Sequence, residues 1–291
     1  MKDKDNHLRI ALTFDIEGMY HANVKGLKLK DEYQASYLDK EVDYLLGLCD
    51  QFSIKATFFI VADLAHKHKD TIRKIYNRGH EIASHSLSHK LLYTLTNEQL
   101  KVELGDSKRI LEDLIGEQVT GFRAPSWSVS KDISAVYYDA LSSEGYQYSS
   151  SVFPGKNFLY GIPDAPTQPH KTPNGIVEFP MPTFSFLGKR LGFTGGFYYR
   201  LFPFWFSKRL IIYRLNKGEK LFLYFHPWEF PLKKYDLEAR LSDKLILSFH
   251  RNLLAKRFHK LMEGNKIQVY PLNDYVDIIK KYDDLTSFWH S

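Results

Sequence analysis

The residues with the most chemical promise are two carboxylates in ALTFDIEGMY, Asp15 and Glu17, and two histidines in HEIASHSLSH, His85 and His89. Leu12, Phe14 and Ile16 alternate with Thr13, Asp15 and Glu17, the period of a strand, so both acids fall on one face near its end. His85 and His89 stand four residues apart, a spacing that one helical turn brings onto one face, where two imidazoles can ligate a single divalent ion. Chance pairs at that spacing also arise in a chain with 12 His. A carboxylate from another strand end would complete an open site of two imidazoles and one acid, with positions left for water and a substrate oxygen. One acid would then ligate the ion and the other would take a proton from water, because a directly ligated oxygen is a poor base. Two like charges so close would otherwise repel and raise one pKa, a cost that a dication offsets. The competing reading is a strand end with two solvated acids.

Such residues need a scaffold that gathers strand ends. Strand-like runs (LRIALTFD, IKATFFIV, HEIAS, QVTGF, YQYSS, GIVEFP, KLFLYFH and KIQVYPL) alternate with helical patterns along the whole chain. Tyr37 to Phe52 places Leu38, Val42, Leu45, Leu46 and Cys49 at three- and four-residue spacings, and the helix after Thr96, its N-cap, stops at Gly116. This alternation predicts a parallel sheet of βα units, seven or eight in number, closed into an irregular α/β barrel. In a barrel of that kind the active site lies at the carboxyl ends of the strands. Asp15, Glu17, His85, His89, Arg123 of RAPSW and His226 of FHPWEF all fall on that rim.

Arg123 can hold a carboxylate in one orientation, unless it is only a surface ion pair. Pro125 stiffens the next turn and leaves the Ser126 N–H free to face a developing oxyanion. His226, with an ordinary pKa near neutrality, suits a general acid; a buried structural histidine is the alternative. Trp127 and Trp228 follow these motifs and are expected to stack on sugar rings.

The 291 residues are expected to form a single domain, with a long Pro- and Gly-rich loop at 154–175. Hydrophobic residues at 44% exclude wholesale disorder, and a net charge of +6 mildly favours anionic partners without pointing to nucleic acid. One cysteine, Cys49, rules out an internal disulfide. No apolar secretion core and no membrane-span window is present, so the expected setting is cytoplasmic, with contact at the inner face of the membrane. That contact is suggested by Phe197 to Leu215, apolar with Arg200, Lys208, Arg209 and Arg214 interspersed, which reads either as an interfacial amphipathic helix or as a helix packed on the barrel.

From about Leu8 to its C-terminus, the sequence resembles the polysaccharide deacetylases of the NodB-homology type, carbohydrate esterase family four. TFDIEG stands where that family usually has T-F-D-D-G. HSLSH matches its H-[ST]-x-x-H, RAPSW its R-x-P, and LYFHPWEF its late strand ending in histidine. The wording of these motifs is most similar to the branch found in bacterial exopolysaccharide and O-antigen gene clusters, with a family-specific C-terminal part from about residue 190. The resemblance implies a distorted (β/α) barrel, a divalent metal that is usually Zn2+, and hydrolysis of an N-acetyl or O-acetyl group from an acylated carbohydrate, which a lipid carrier could hold. It makes Asp15 the catalytic base, Arg123 the residue orienting it, His226 the acid, and His85 and His89 metal ligands. Glu17 is the natural third ligand, since Ile16 occupies the position of the family's second aspartate and faces away.

A second departure is Ser149 in YQYSSSVFP, where the branch usually has aspartate, with Glu229 as a conceivable compensating charge. Three functions stay open on the sequence: a sugar deacetylase, an amide hydrolase of another acyl group or substrate such as a deformylase, and a carbohydrate-binding protein with decayed catalysis.

Overall fold

The alternation read in ALTFDIEG becomes the central strand of the protein. The computed structural model describes residues 8–23, 27–29, 35–156, 161–230, 237–263 and 267–282. Its strands are β1 (Leu8–Ile16), β2 (Lys28–Leu29), β3 (Thr57–Ile60), β4 (Glu81–Ser84), β5 (Gly121–Phe122), β6 (Tyr148–Ser149), β7 (His170–Lys171), β8 (Val177–Glu178), β9 (Thr183–Phe186), β10 (Lys189–Gly192), β11 (Phe222–Phe225), β12 (Leu237–Glu238) and β13 (Ile267–Tyr270). Its helices are α1 (Ala35–Gln51), α2 (Ala65–Asn77), α3 (Asn97–Ile115), α4 (Ser134–Ser143), α5 (Gly196–Leu201), α6 (Phe204–Asn216), α7 (Leu241–Ser248), α8 (Arg251–Met262) and α9 (Leu272–Tyr282). All eight strand-like runs of the sequence contribute a strand to one curled sheet, in the order β11-β1-β3-β4-β5-β6-β8-β7, with β13 also on β1. Every pairing in it is parallel except β7 with β8. This is the distorted α/β barrel expected of alternating βα units.

The pleat sorts β1 into two layers. Ile10, Leu12, Phe14 and Ile16 join the large cluster between sheet and helices, while Ala11 joins a second cluster inside the barrel with Phe59, Tyr148, Phe179 and Phe222. Thr13, Asp15 and Glu17 therefore face the barrel interior, and Ile16 faces away. α3 opens as its sequence suggested: the Thr96 hydroxyl accepts from Gln99 N, the Gln99 side chain accepts from Thr96 N, and Gly116 closes the helix at φ 76°.

Two segments differ from expectation. The stretch 154–175 is not a featureless loop, because His170–Lys171 pairs antiparallel with β8; residues 157–160 lie outside the described ones. Phe197 to Leu215 is two helices split at Pro203, and its basic residues do not share a face toward solvent. Arg200 is buried on Glu229, while Arg214 pairs with Glu219.

Candidate active site

Asp15 and Glu17 leave the end of β1 three per cent exposed each, and what surrounds them explains how two acids are tolerated there. Arg123, fully buried after β5, donates from Nη1 to Asp15 Oδ1 (2.6 Å) and to Thr13 Oγ1 (2.9 Å). Its other nitrogens donate to the Ser150 carbonyl and hydroxyl, and the guanidinium lies over the rings of Phe59, Trp127 and Phe222. A buried cation with this many partners is fixed in place, and it fixes one Asp15 oxygen with it. The other oxygen, Oδ2, faces His226 Nε2 at 4.0 Å.

Glu17 points at the histidines. Its Oε2 contacts His89 Nε2 and lies 3.9 Å from His85 Nε2, and the ligand atoms of Glu17, His85 and His89 lie within 4.8 Å of one another. Burial alone would raise the Glu17 pKa, but His89, His226 and His85 outweigh it and hold the carboxyl well below its usual range. Burial pushes His85 down to about 4, which keeps its ring neutral as a metal ligand must be. Its Nδ1 lies 2.8 Å from the Arg123 carbonyl, which can only accept, so Nδ1 carries the proton and the Nε2 lone pair faces Glu17.

The two histidines do not meet on a helical turn, as their spacing suggested. Residues 85–90 form a loop in which Ser86 (φ 67°) and His89 (φ 59°) are left-handed. The Ser86 hydroxyl accepts from His89 N, and Glu103 of α3 accepts from Leu87 N, Ser88 N and the Ser88 hydroxyl. Glu103 is therefore a brace for the histidine loop, and nothing in its own helical stretch marks it as one. His21 was also missed: its ring stacks on His89 at 5.4 Å between centroids, and burial followed by His89 lowers it to about 4.

The set fits a divalent cation. Two imidazoles and a carboxylate converge, and the tautomer of one ring is fixed to present its lone pair.

His226 ends β11. Its backbone N and Nδ1 both donate to Glu229 Oε2 at 3.0 Å, and Glu229 Oε1 accepts from Arg200 Nε at 2.8 Å. Burial disfavours the charged ring, but the Glu229 hydrogen bond and the charges of Glu17, Glu229 and Asp15 prevail and raise His226 to about 9. Glu229, named above as a compensating charge, thus pairs with His226. Ser149 lies elsewhere: its hydroxyl bonds Tyr137 and Ser151 on the outer face of the sheet, and the buried carboxylate there is Glu178, which accepts from Ser151 N and Val152 N. Ser150, one residue on, is the one that reaches Arg123. We expect Glu229→Gln to keep the fold, lower kcat by about ten- to a hundredfold and move the alkaline limb of the pH–rate profile to lower pH, since it removes what holds the His226 proton. An unmoved limb would show that Glu229 does not set that proton.

The remaining rim residues are placed differently from their sequence reading. Pro125 is buried, and Ser126 (φ 52°) and Trp127 (φ 59°) are both left-handed, which turns the chain across the site mouth. Asn23 Nδ2 donates to the Ser126 hydroxyl, and Ser126 N–H has no backbone acceptor among the described residues. Trp127 and Trp228 do not offer open ring faces. Trp127 is stacked on Phe222 beneath Arg123, and Trp228 is stacked on His226 at 4.9 Å while its Nε1 donates to Glu17. Trp127 walls the buried guanidinium and Trp228 walls the His226 ring.

Known proteins share this arrangement of chain and sheet. A family profile described as Polysaccharide deacetylase matches residues 2–148, and one described as Domain of unknown function (DUF3473) matches residues 150–271. Strands from both regions build one sheet, and the second region supplies His226, Glu229 and Arg200. Chitin deacetylase 1 of Cryptococcus neoformans var. grubii is 32% identical over 114 residues, 39% of this chain and 23% of that protein. A peptidoglycan-N-acetylglucosamine deacetylase of Bacillus cereus is 22% identical over 57% of this chain and 62% of its own length. The chain thus spans less than two thirds of either relative. A crystal structure from Mycobacterium smegmatis described as a polysaccharide deacetylase superposes with a TM-score of 0.65 at 20% identity, covering 99% of this chain and 95% of that one. An allantoinase, PuuE, superposes at 0.62 with 15% identity over 94% and 90% of the two chains, a likeness of fold alone. Because the first profile takes in just over half of the 291 residues and contains TFDIEG, HSLSH and RAPSW, the chain belongs to the polysaccharide deacetylase family.

Proposed function

We propose that this protein hydrolyses the N-acetyl group of an amino sugar in surface-polysaccharide synthesis, with a divalent metal, Zn2+, held by Glu17, His85 and His89. The observation that carries the reading is the pair of groups facing the triad. Asp15 is clamped by Arg123 with one oxygen left toward His226, and His226 is charged and braced by Glu229. The cation, when bound, would polarise the acyl oxygen and lower the pKa of water. The chain's own groups do the rest. Asp15 Oδ2 accepts the proton of the attacking water as its oxygen bonds the acyl carbon. The Ser126 N–H faces the oxygen that gains charge. His226 Nε2–H delivers its proton to the nitrogen as the carbon–nitrogen bond breaks, which leaves acetate and a free amine.

Relatives named for chitin and for peptidoglycan N-acetylglucosamine support an N-acetylhexosamine, and the basic charge of the chain suits a sugar on an anionic lipid phosphate carrier. The test is acetate release from N-acetylglucosamine oligomers and from lipid-linked acetylated sugars, with Zn2+ and with chelator. We expect release that chelator stops and Zn2+ restores. Formate release from an N-formyl sugar without acetate release would favour the deformylase reading, and no release from any acylated sugar would sink both.

A further inference from the structure

The active-site end of the barrel carries apolar side chains that the fold leaves uncovered. The parallel strands all run toward this end, so segments leaving a strand terminus, or entering the helix behind it, sit there. The β9–β10 hairpin leaves from β8 and returns to Gly195, which bridges Tyr224 near the end of β11. α6 begins at that end because it leads back to the start of β11. α7 follows β11, and its Leu247 packs with Met19 and Trp228 beside the site. Leu187 at the hairpin tip, Leu201 ending α5, Trp205 starting α6, and Leu241, Leu245 and Ile246 along α7 are all exposed.

The hairpin tip is built against its own backbone preference. Leu187 (φ 48°) and Gly188 (φ 73°) are both left-handed, as a two-residue turn of this hand requires, and Asn, Asp or Gly is the usual first residue. A leucine there bears a steric cost and a hydration cost, and at 86% exposure it has almost no contact to offset either. Cations stand among these side chains: Lys189 beside the tip, Arg209 one turn beyond Trp205, and Arg240 and Lys244 on either side of Leu241. All four are exposed and none forms an ion pair among the described residues, while Asp243 is the one acid of α7. A peptide or sugar groove would be concave and continuous. Here apolar tips stand on separate elements with cations between them, the pattern of a surface whose tips enter the acyl boundary while Lys and Arg meet anionic headgroups. No helix among the described residues is long and apolar enough to cross a membrane.

We propose that this crown docks the active-site end on an anionic bilayer, which sets the site over sugars anchored to lipid; the choice of sugar rests on the deacetylase reading, and the docking does not. The test is flotation of the whole chain with phosphatidylglycerol-containing vesicles and with phosphatidylcholine vesicles. Co-flotation with the anionic vesicles is expected, at least about tenfold weaker on neutral ones and reduced by about 0.5 M salt. Leu187→Asp with Trp205→Ala, and separately Leu241→Asp with Leu245→Asp, are expected to lower the bound fraction about tenfold with an unchanged thermal midpoint. Wild type that does not float, or variants that float equally well, overturns the proposal. So does a wild-type dimer that the variants dissolve without any vesicle binding, which assigns the face to a second copy. Acetate release from a soluble acetylated oligomer, read in parallel, separates the two ideas. Flotation without release removes the deacetylase reading and keeps the docking, and release without flotation does the reverse.

Discussion

Replacing Asp15 by Asn is expected to leave a folded protein that binds Zn2+ as the wild type does and has lost about a hundred- to ten-thousandfold of its turnover, the contribution of a positioned general base. The substitution is nearly isosteric, and the amide oxygen can still accept from Arg123 Nη1. What disappears is the oxygen that takes the proton of water. Arg123 loses a charge partner, yet it keeps Thr13, both Ser150 acceptors and three aromatic faces, so unfolding is not expected. A modest fall in thermal midpoint is expected, because a buried cation is left less compensated. Turnover near that of the wild type, with one equivalent of metal still bound, would remove Asp15 from proton transfer.

His85→Ala combined with His89→Ala should abolish stoichiometric Zn2+ binding and, with it, hydrolysis. Two of the three donors go, and a lone buried Glu17 does not hold a transition-metal ion against water. The sharper readout is thermal. Wild type freed of metal should be stabilised by added Zn2+, by about 2.7 kcal/mol at a hundred times the dissociation constant, and the double variant should not respond. A variant that still binds one equivalent, or a wild type whose melting ignores the ion, would place the metal elsewhere or nowhere. Glu17 then becomes the informative single change. Glu17→Gln retains the shape of the site but not the charge that faces three imidazoles, and it should weaken Zn2+ binding while leaving the apo protein folded.

The parts of the structure that the sequence announces are those governed by short periods. The alternation in ALTFDIEG fixes which side of β1 each residue takes, so the inward direction of Asp15 and Glu17 follows from Ile16 facing out. Thr96 and Gly116 mark the ends of α3 by local chemistry alone. The strand ends then collect the acids, the histidines and Arg123 because parallel βα units have no other place to put them. What stays hidden is what depends on pairing across the chain. Glu103 reaches the histidine loop from a helix surface, and Glu178 reaches the turn after β6 from the next strand; neither has a pattern that distinguishes it from a solvated acid. Arg200 sits in an apolar, basic stretch that reads either as an interfacial or as a packed helix, and only its meeting with Glu229, 29 residues away, reveals a brace for His226. The aromatic excess misled in the same way. Trp127 and Trp228 lie beside the motifs as sugar platforms would, but their ring faces are already taken by Arg123 and His226.

The position of β1 also sets a timetable. This strand is made before two of its partners, Phe222–Phe225 and Ile267–Tyr270, which follow it by more than two hundred residues. Closing loops of that length is slow, and until it happens one edge of β1, at nine residues the longest strand among those described, stays open. The would-be metal ligands all lie in the first third of the chain, so an ion could engage its three donors while the barrel is still unfinished. His226, the proposed acid, arrives only with β11. A nascent or truncated form could therefore hold metal without being able to turn over, and the last strands added are the ones that would switch the chemistry on.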